Sequence, residues 1–98
     1  MKKSRFANGG EAVQVGFLNA DAAQTFSATG TTTEFTADTA VRIRAYSGDI
    51  WFAINAAPTA VAGAEGSVFL LDGDTETGVI KAGSKINATG AFNVMPFE

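Results

Sequence analysis

The chain contains no cysteine and no histidine. Without cysteine it has neither the disulfide framework that holds many small extracellular domains together nor a thiolate site for a soft metal. Without histidine it lacks the usual general base near neutral pH and the commonest transition-metal ligand. Proline is scarce, at two residues, and charged residues make up only 17% of the chain, with a net charge of −3. A nucleic-acid footprint needs more positive charge than this, and a disordered chain needs less apolar content. No apolar run approaches the ~20 residues of a membrane-spanning helix. Reactive chemistry is left to Ser, Lys and carboxylates. The expectation is therefore a protein that is not an enzyme and uses no cofactor, metal, nucleic acid or membrane.

What the 98 residues do carry is alternation, at 46% apolar content with eight Phe and eleven Gly. Val13, Val15 and Phe17 alternate with Gln14 and Gly16. Val41, Ile43 and Ala45 alternate with Arg42 and Arg44, and Ile50, Phe52 and Ile54 with Trp51 and Ala53. A period of two marks half-buried strands. Turn residues recur about every ten positions, at Gly30, Ser47-Gly48, Pro58, Gly63, Gly66, Asp72-Gly73, Gly83 and Gly90, the spacing of an all-β sandwich or barrel. The Ala-rich tract from Asn55 to Gly66 is broken by Pro58 and Gly63 and reads as a loop.

The predicted fold is all-β: a small antiparallel β-sandwich, jelly-roll-like, formed by residues 11–98 as one domain. The jelly roll ranks first because a connection as long as Asn55 to Gly66 suits a crossing between sheets. Residues 1–10 read as a flexible basic N-terminal arm, with Lys2, Lys3 and Arg5 ahead of an Asn8-Gly9-Gly10 joint. Met1 to Arg5 is followed by Phe6 and Ala7 and then that joint instead of an apolar signal core, so a soluble chain not exported by this route is expected.

Turn chemistry suggests three hairpins. A two-residue loop at Ser47-Gly48 or Gly48-Asp49 pairs the strands so that Ile43 and Ala45 share a face with Ile50, Phe52 and Ile54. Arg42, Arg44 and Tyr46 then lie beside Trp51 on the other face, a stripe able to make cation–π contacts of ~0.5–1 kcal/mol. In the alternative, Trp51 packs under the Ala-rich loop. Asp72-Gly73 reads as a type I′ turn joining 67–71 to 75–80, and Thr89-Gly90-Ala91 pairs Ala88 with Phe92 and Ile86 with Val94. The Thr29–Thr33 run leading into Glu34-Phe35-Thr36 reads as a further hairpin with a polar face. The expected core adds Phe26, Phe35, Val68, Leu70, Val79, Ile86, Phe92 and Val94 to the inward residues above, although the continuous apolar run carries no alternation to set Val68 and Leu70 apart from Phe69 and Leu71.

Candidate reactive groups are few. Asp72, Asp74 and Glu76 alternate as in a hard-cation loop, but the Gly and the bidentate Glu which that loop requires are missing. Asp38 and Asp49, the carboxylates nearest aromatic residues, stand at strand ends, where Asp is ordinary turn vocabulary. No phosphate-cradling Gly motif occurs.

From Phe35 to Phe97 the order of elements resembles a small β-sandwich module of structural proteins of tailed bacteriophages. The resemblance is carried by Ala40-Val41-Arg42-Ile43-Arg44-Ala45, by Ile50-Trp51-Phe52-Ala53-Ile54 with Pro58-Thr59-Ala60, by Ser67 to Leu71, by Val79 to Ile86 and by Phe92-Asn93-Val94. It implies a non-enzymatic virion protein, first a capsid decoration or cement protein on the capsid surface, made in the host bacterial cytoplasm. The implied partners are copies of itself, as a trimer or ring, and the major capsid protein or other virion proteins. Candidate interface residues are Lys2, Lys3, Arg5 and Phe6 in the arm. Arg42, Arg44, Tyr46 and Trp51 are their counterparts in the body. The alternative is a tail- or fibre-associated protein, or a module that recognises a carbohydrate or cell surface through Trp51 and Tyr46.

Overall fold

The computed structural model describes residues 18–97. A single 3₁₀ turn, Ala20–Ala22, precedes eight strands. These are β1 Gln24–Phe26, β2 Gly30–Thr31, β3 Thr39–Ala45, β4 Ile50–Asn55, β5 Val68–Leu70, β6 Thr75–Ile80, β7 Lys85–Ala88 and β8 Phe92–Pro96. They form two four-stranded sheets, the first in the order β1-β8-β3-β6 and the second in the order β2-β7-β4-β5. Every pairing is antiparallel. This is the strand order of an eight-stranded jelly roll, a sandwich built from two Greek keys. The small antiparallel sandwich expected from the alternation is the fold observed.

Period two decides the interior. Val41, Ile43 and Ala45 of β3 and Phe92 and Val94 of β8 are buried on the first sheet. Ile50 and Phe52 of β4, Leu70 of β5, and Ile86 and Ala88 of β7 are buried on the second. The two inner faces pack as one core, and Phe26 stacks on Phe92 with ring centroids 4.7 Å apart. Thr32 is a buried polar residue with its hydrogen bonds made: its N–H donates to the Ile86 carbonyl at 2.8 Å and its hydroxyl accepts the Ile86 N–H at 2.9 Å.

The three expected hairpins are not hairpins. β3 and β4, β5 and β6, and β7 and β8 each turn back sharply, but the two strands of each pair belong to different sheets. The link from β3 to β4 runs over residues 46–49, longer than the two-residue loop expected. A tight turn dictates reversal and does not dictate which sheet the returning strand joins. Because both strands turn their apolar residues toward one core, an arch and a hairpin carry the same alternation. The polar run at 29–36 also forms no hairpin: Gly30–Thr31 pairs with β7 instead.

The long tract after Asn55 reverses the expectation. Among the described strands β4 and β5 are the one consecutive pair that lies side by side in a sheet, so this loop does not cross between sheets. It folds over the outer face of the second sheet, where the Ala60 N–H donates to Asn87 Oδ1 at 2.7 Å and Pro58 is buried. That cover explains why Ala53, on the outward side of β4, is also buried.

The core differs from expectation along one edge. Val79 is 66% exposed and Ile80 is buried in its place. The adjacent pair Val79-Ile80 carries no alternation, and pairing with β3 sets Ile80 opposite Thr39 and Val79 opposite Ala40. Leu70 faces inward and Phe69 outward. Val68 faces inward in register with Phe52 and is nevertheless 50% exposed. Val13, Val15 and Phe17 lie outside the described residues, as does the expected arm of residues 1–10.

Candidate functional site

Three surfaces carry the residues of interest. The outer face of the first sheet presents Arg42 and Arg44, whose side chains point away from the buried Val41, Ile43 and Ala45 of the same strand. Arg44 is flanked across the sheet by Thr75 and Asn93, and Arg42 by Thr77 and Met95. Asn93 is held by its amide donating to Thr25 Oγ1 at 2.9 Å. No carboxylate is among these cross-strand neighbours, so the face is cationic on a body of net negative charge. Arg42 Nε is buried without a hydrogen-bond partner among the described residues.

Tyr46 sits just past the end of β3, and its hydroxyl donates to the Phe26 carbonyl at 2.7 Å, tying β3 to the edge strand β1. Its ring remains exposed.

Trp51 belongs to the other sheet. It is half-buried on the outer face and packs against Phe69, its partner in register on β5, with ring centroids 5.2 Å apart at 56°. The structure therefore does not assemble the stripe expected from the sequence. Arg42 and Arg44 point outward on one side of the sandwich and Trp51 on the other, separated by the ~10 Å between packed sheets and by the sheets themselves. Phe69 is the functional candidate that sequence reading left undecided. The signal was present in the β4 pattern, since an outward Trp51 calls for an apolar partner beside it.

The third surface is the seam where the edge strands β5 and β6 leave the sandwich open. The opposite seam is stitched: Gln24 on β1 accepts the Thr33 N–H through Oε1 at 3.0 Å and donates through Nε2 to Thr33 Oγ1 at 3.2 Å. At the β5/β6 side an apolar groove of about 240 Å³ runs between the sheets, lined by Val41, Ile43, Phe52, Ile54 and Val68. Two features of β6 create it. Gly78, opposite Val41, has no side chain to lay over the core, and Glu76, opposite Ile43, brings a carboxylate to the rim. Ile54, inward and in register with Ile86, is consequently 39% exposed.

No family model matches the chain, and no curated protein or solved structure matches it. Function therefore has to be argued from these surfaces.

Two of the carboxylates have structural tasks. Asp49 Oδ1 accepts the Asp72 N–H at 2.8 Å, joining the β3–β4 and β5–β6 turns, and Asp38 Oδ1 accepts the Ala82 N–H at 2.9 Å, joining the β2–β3 segment to the β6–β7 turn. Among the described residues no three acidic side chains converge as a metal site would require, and no helix is long and apolar enough to cross a membrane. Lys2, Lys3, Arg5 and Phe6 lie outside the described residues.

Proposed function

We propose that the protein is a non-enzymatic structural component of a tailed-bacteriophage virion, a decoration or cement protein on the capsid surface that acts as a homo-oligomer. The observation that carries the reading is the distribution of apolar and cationic surface on a jelly roll. Val68 and Phe69 on the edge strand β5, Leu71 just after it and Val79 on the edge strand β6 are all exposed, apolar exposure at the sheet edges that monomeric proteins keep small unless it meets a partner. The guanidinium-bearing outer face of the first sheet offers the Arg-containing composition common at protein interfaces. The resemblance of residues 35–97 to phage structural modules supplies the virion context and the major capsid protein as partner.

The carbohydrate reading rests on Trp51 and Tyr46, which do not share a surface: Trp51 lies on the outer face of the second sheet beside Phe69, and Tyr46 lies just past β3 of the first. The two readings separate in one pair of measurements. A virion protein co-sediments with particles that lack it, and its Trp51 emission is indifferent to added saccharides. A glycan-binding module shows the reverse: saturable change in Trp51 emission with one class of sugar and no binding to particles.

A further inference from the structure

The open seam between β5 and β6 has the shape of a sandwich short of one strand. We propose that residues 13–17 of a second copy of this chain supply it, adding beside β6 so that Val13, Val15 and Phe17 fill the groove. The inference deepens the homo-oligomer part of the function proposed above, and rests on it.

Pattern and length agree. β6 is six residues long, and on the side away from β3 its backbone groups have no strand partner among the described residues. An extended segment from residue 13 to residue 17 covers ~14 Å, within the ~17 Å length of β6. Its apolar side chains point to one face and Gln14 and Gly16 to the other, so one face suits the groove and the other suits water. Gly78 leaves room for the incoming side chains, since nothing lies within 4 Å of the Cβ position it lacks.

The tether selects a second copy over the chain's own segment. Leu18 is bridged to Phe97, the Phe97 N–H donates to the Ala40 carbonyl, and Ala40 pairs with Val79, so one row crosses the first sheet from Leu18 to β6. Three strand spacings separate Leu18 from Val79, and a strand beyond β6 stands about 19 Å from Leu18. Phe17 is one residue from that anchor, and three extended residues bring Val15 only ~10 Å away. Neither reaches the seam of its own copy.

Charge orients the added strand. The turn before β6 and its first residues carry Asp72, Asp74 and Glu76, while Lys81 and Lys85 follow its far end. A strand parallel to β6 places Lys2, Lys3 and Arg5, upstream of Val13, toward the acidic end and away from the two lysines. The contact is heterologous, each copy giving a segment and receiving one, and closes into a ring where the rotation allows.

The test uses the full chain, which is free of cysteine. Native mass spectrometry and sedimentation are applied to the parent, to Val15→Glu and to Gly78→Ile, the last of which fills the groove from within the described fold. The parent is expected to be oligomeric. Both variants are expected to keep cooperative melting and to raise the dissociation constant by roughly tenfold or more, equivalent to a loss of at least about 1.4 kcal/mol. Mixed Val15→Cys and Gly78→Cys copies should form a disulfide heterodimer on mild oxidation, whichever way the strand runs, since both positions are central. An oligomer that persists unweakened in both variants, with no cross-link, overturns strand exchange and leaves the oligomeric virion protein standing. A parent that is monomeric at every concentration overturns both strand exchange and the homo-oligomer.

Discussion

Ile43 of β3 and Phe52 of β4 enter one core from opposite sheets and line the same groove, although only a short turn separates their strands. This relationship closes the arch at residues 46–49 and makes Phe52 a central packing residue. Phe52→Ala should destabilise the domain by ~3–5 kcal/mol, against ~0.5–1.5 kcal/mol for Ile43→Val. Since small domains are stable by only ~5–15 kcal/mol, the first variant approaches unfolding. Chemical denaturation of the two variants checks the order, and a loss below about 1 kcal/mol for Phe52→Ala would contradict the burial assigned to it.

Thr32 offers a cleaner probe of a single polar atom. Thr32→Val is nearly isosteric but removes the acceptor of the Ile86 N–H and leaves that donor buried and unpaired. Its cost should be ~1–3 kcal/mol. Thr32→Ser keeps the hydroxyl, and its amide proton at Ile86 should stay protected from exchange while that of Thr32→Val does not.

Gly30 stands where a side chain has no room. A Cβ there would lie 2.6 Å from Cδ1 of Phe26, whose ring is stacked on the buried Phe92. Gly30→Ala should displace that ring and cost ~1–3 kcal/mol as overpacking. A near-UV spectrum and melting temperature identical to the parent would show that the Phe26 ring yields freely.

Alternation made the inward set of β3, β4, β7 and β8 legible, and with it the sandwich. Pairing was not legible, because Ser47-Gly48, Asp72-Gly73 and Thr89-Gly90 signal reversal alone, and arches and hairpins bury the same residues. Arg42, Arg44 and Trp51 were correctly read as outward, but their grouping depended on the hairpin and dissolved with it. The open seam could not be read at all. It arises because Gly78 and Glu76 face Val41 and Ile43 in register, a relation between strands distant in sequence.

Lys2, Lys3, Arg5 and Phe6, the candidate interface residues of the basic arm, carry a salt-dependent prediction. Deleting residues 2–7 removes Lys2, Lys3, Arg5 and Phe6 together and should weaken binding to particles severalfold at low ionic strength. Exposed charges are screened beyond ~10 Å at 0.1 M salt, so the difference should shrink as salt is raised. Equal affinity of the two forms across the whole salt range would remove the arm from the interface.

The most direct test of the proposed function is the mass that particles lacking this protein gain when saturated with it. A structural component predicts a plateau, the gain divided by the mass of one chain giving a copy number set by the symmetry-related sites of the shell. A gain that never saturates, or no gain at any concentration, would contradict it.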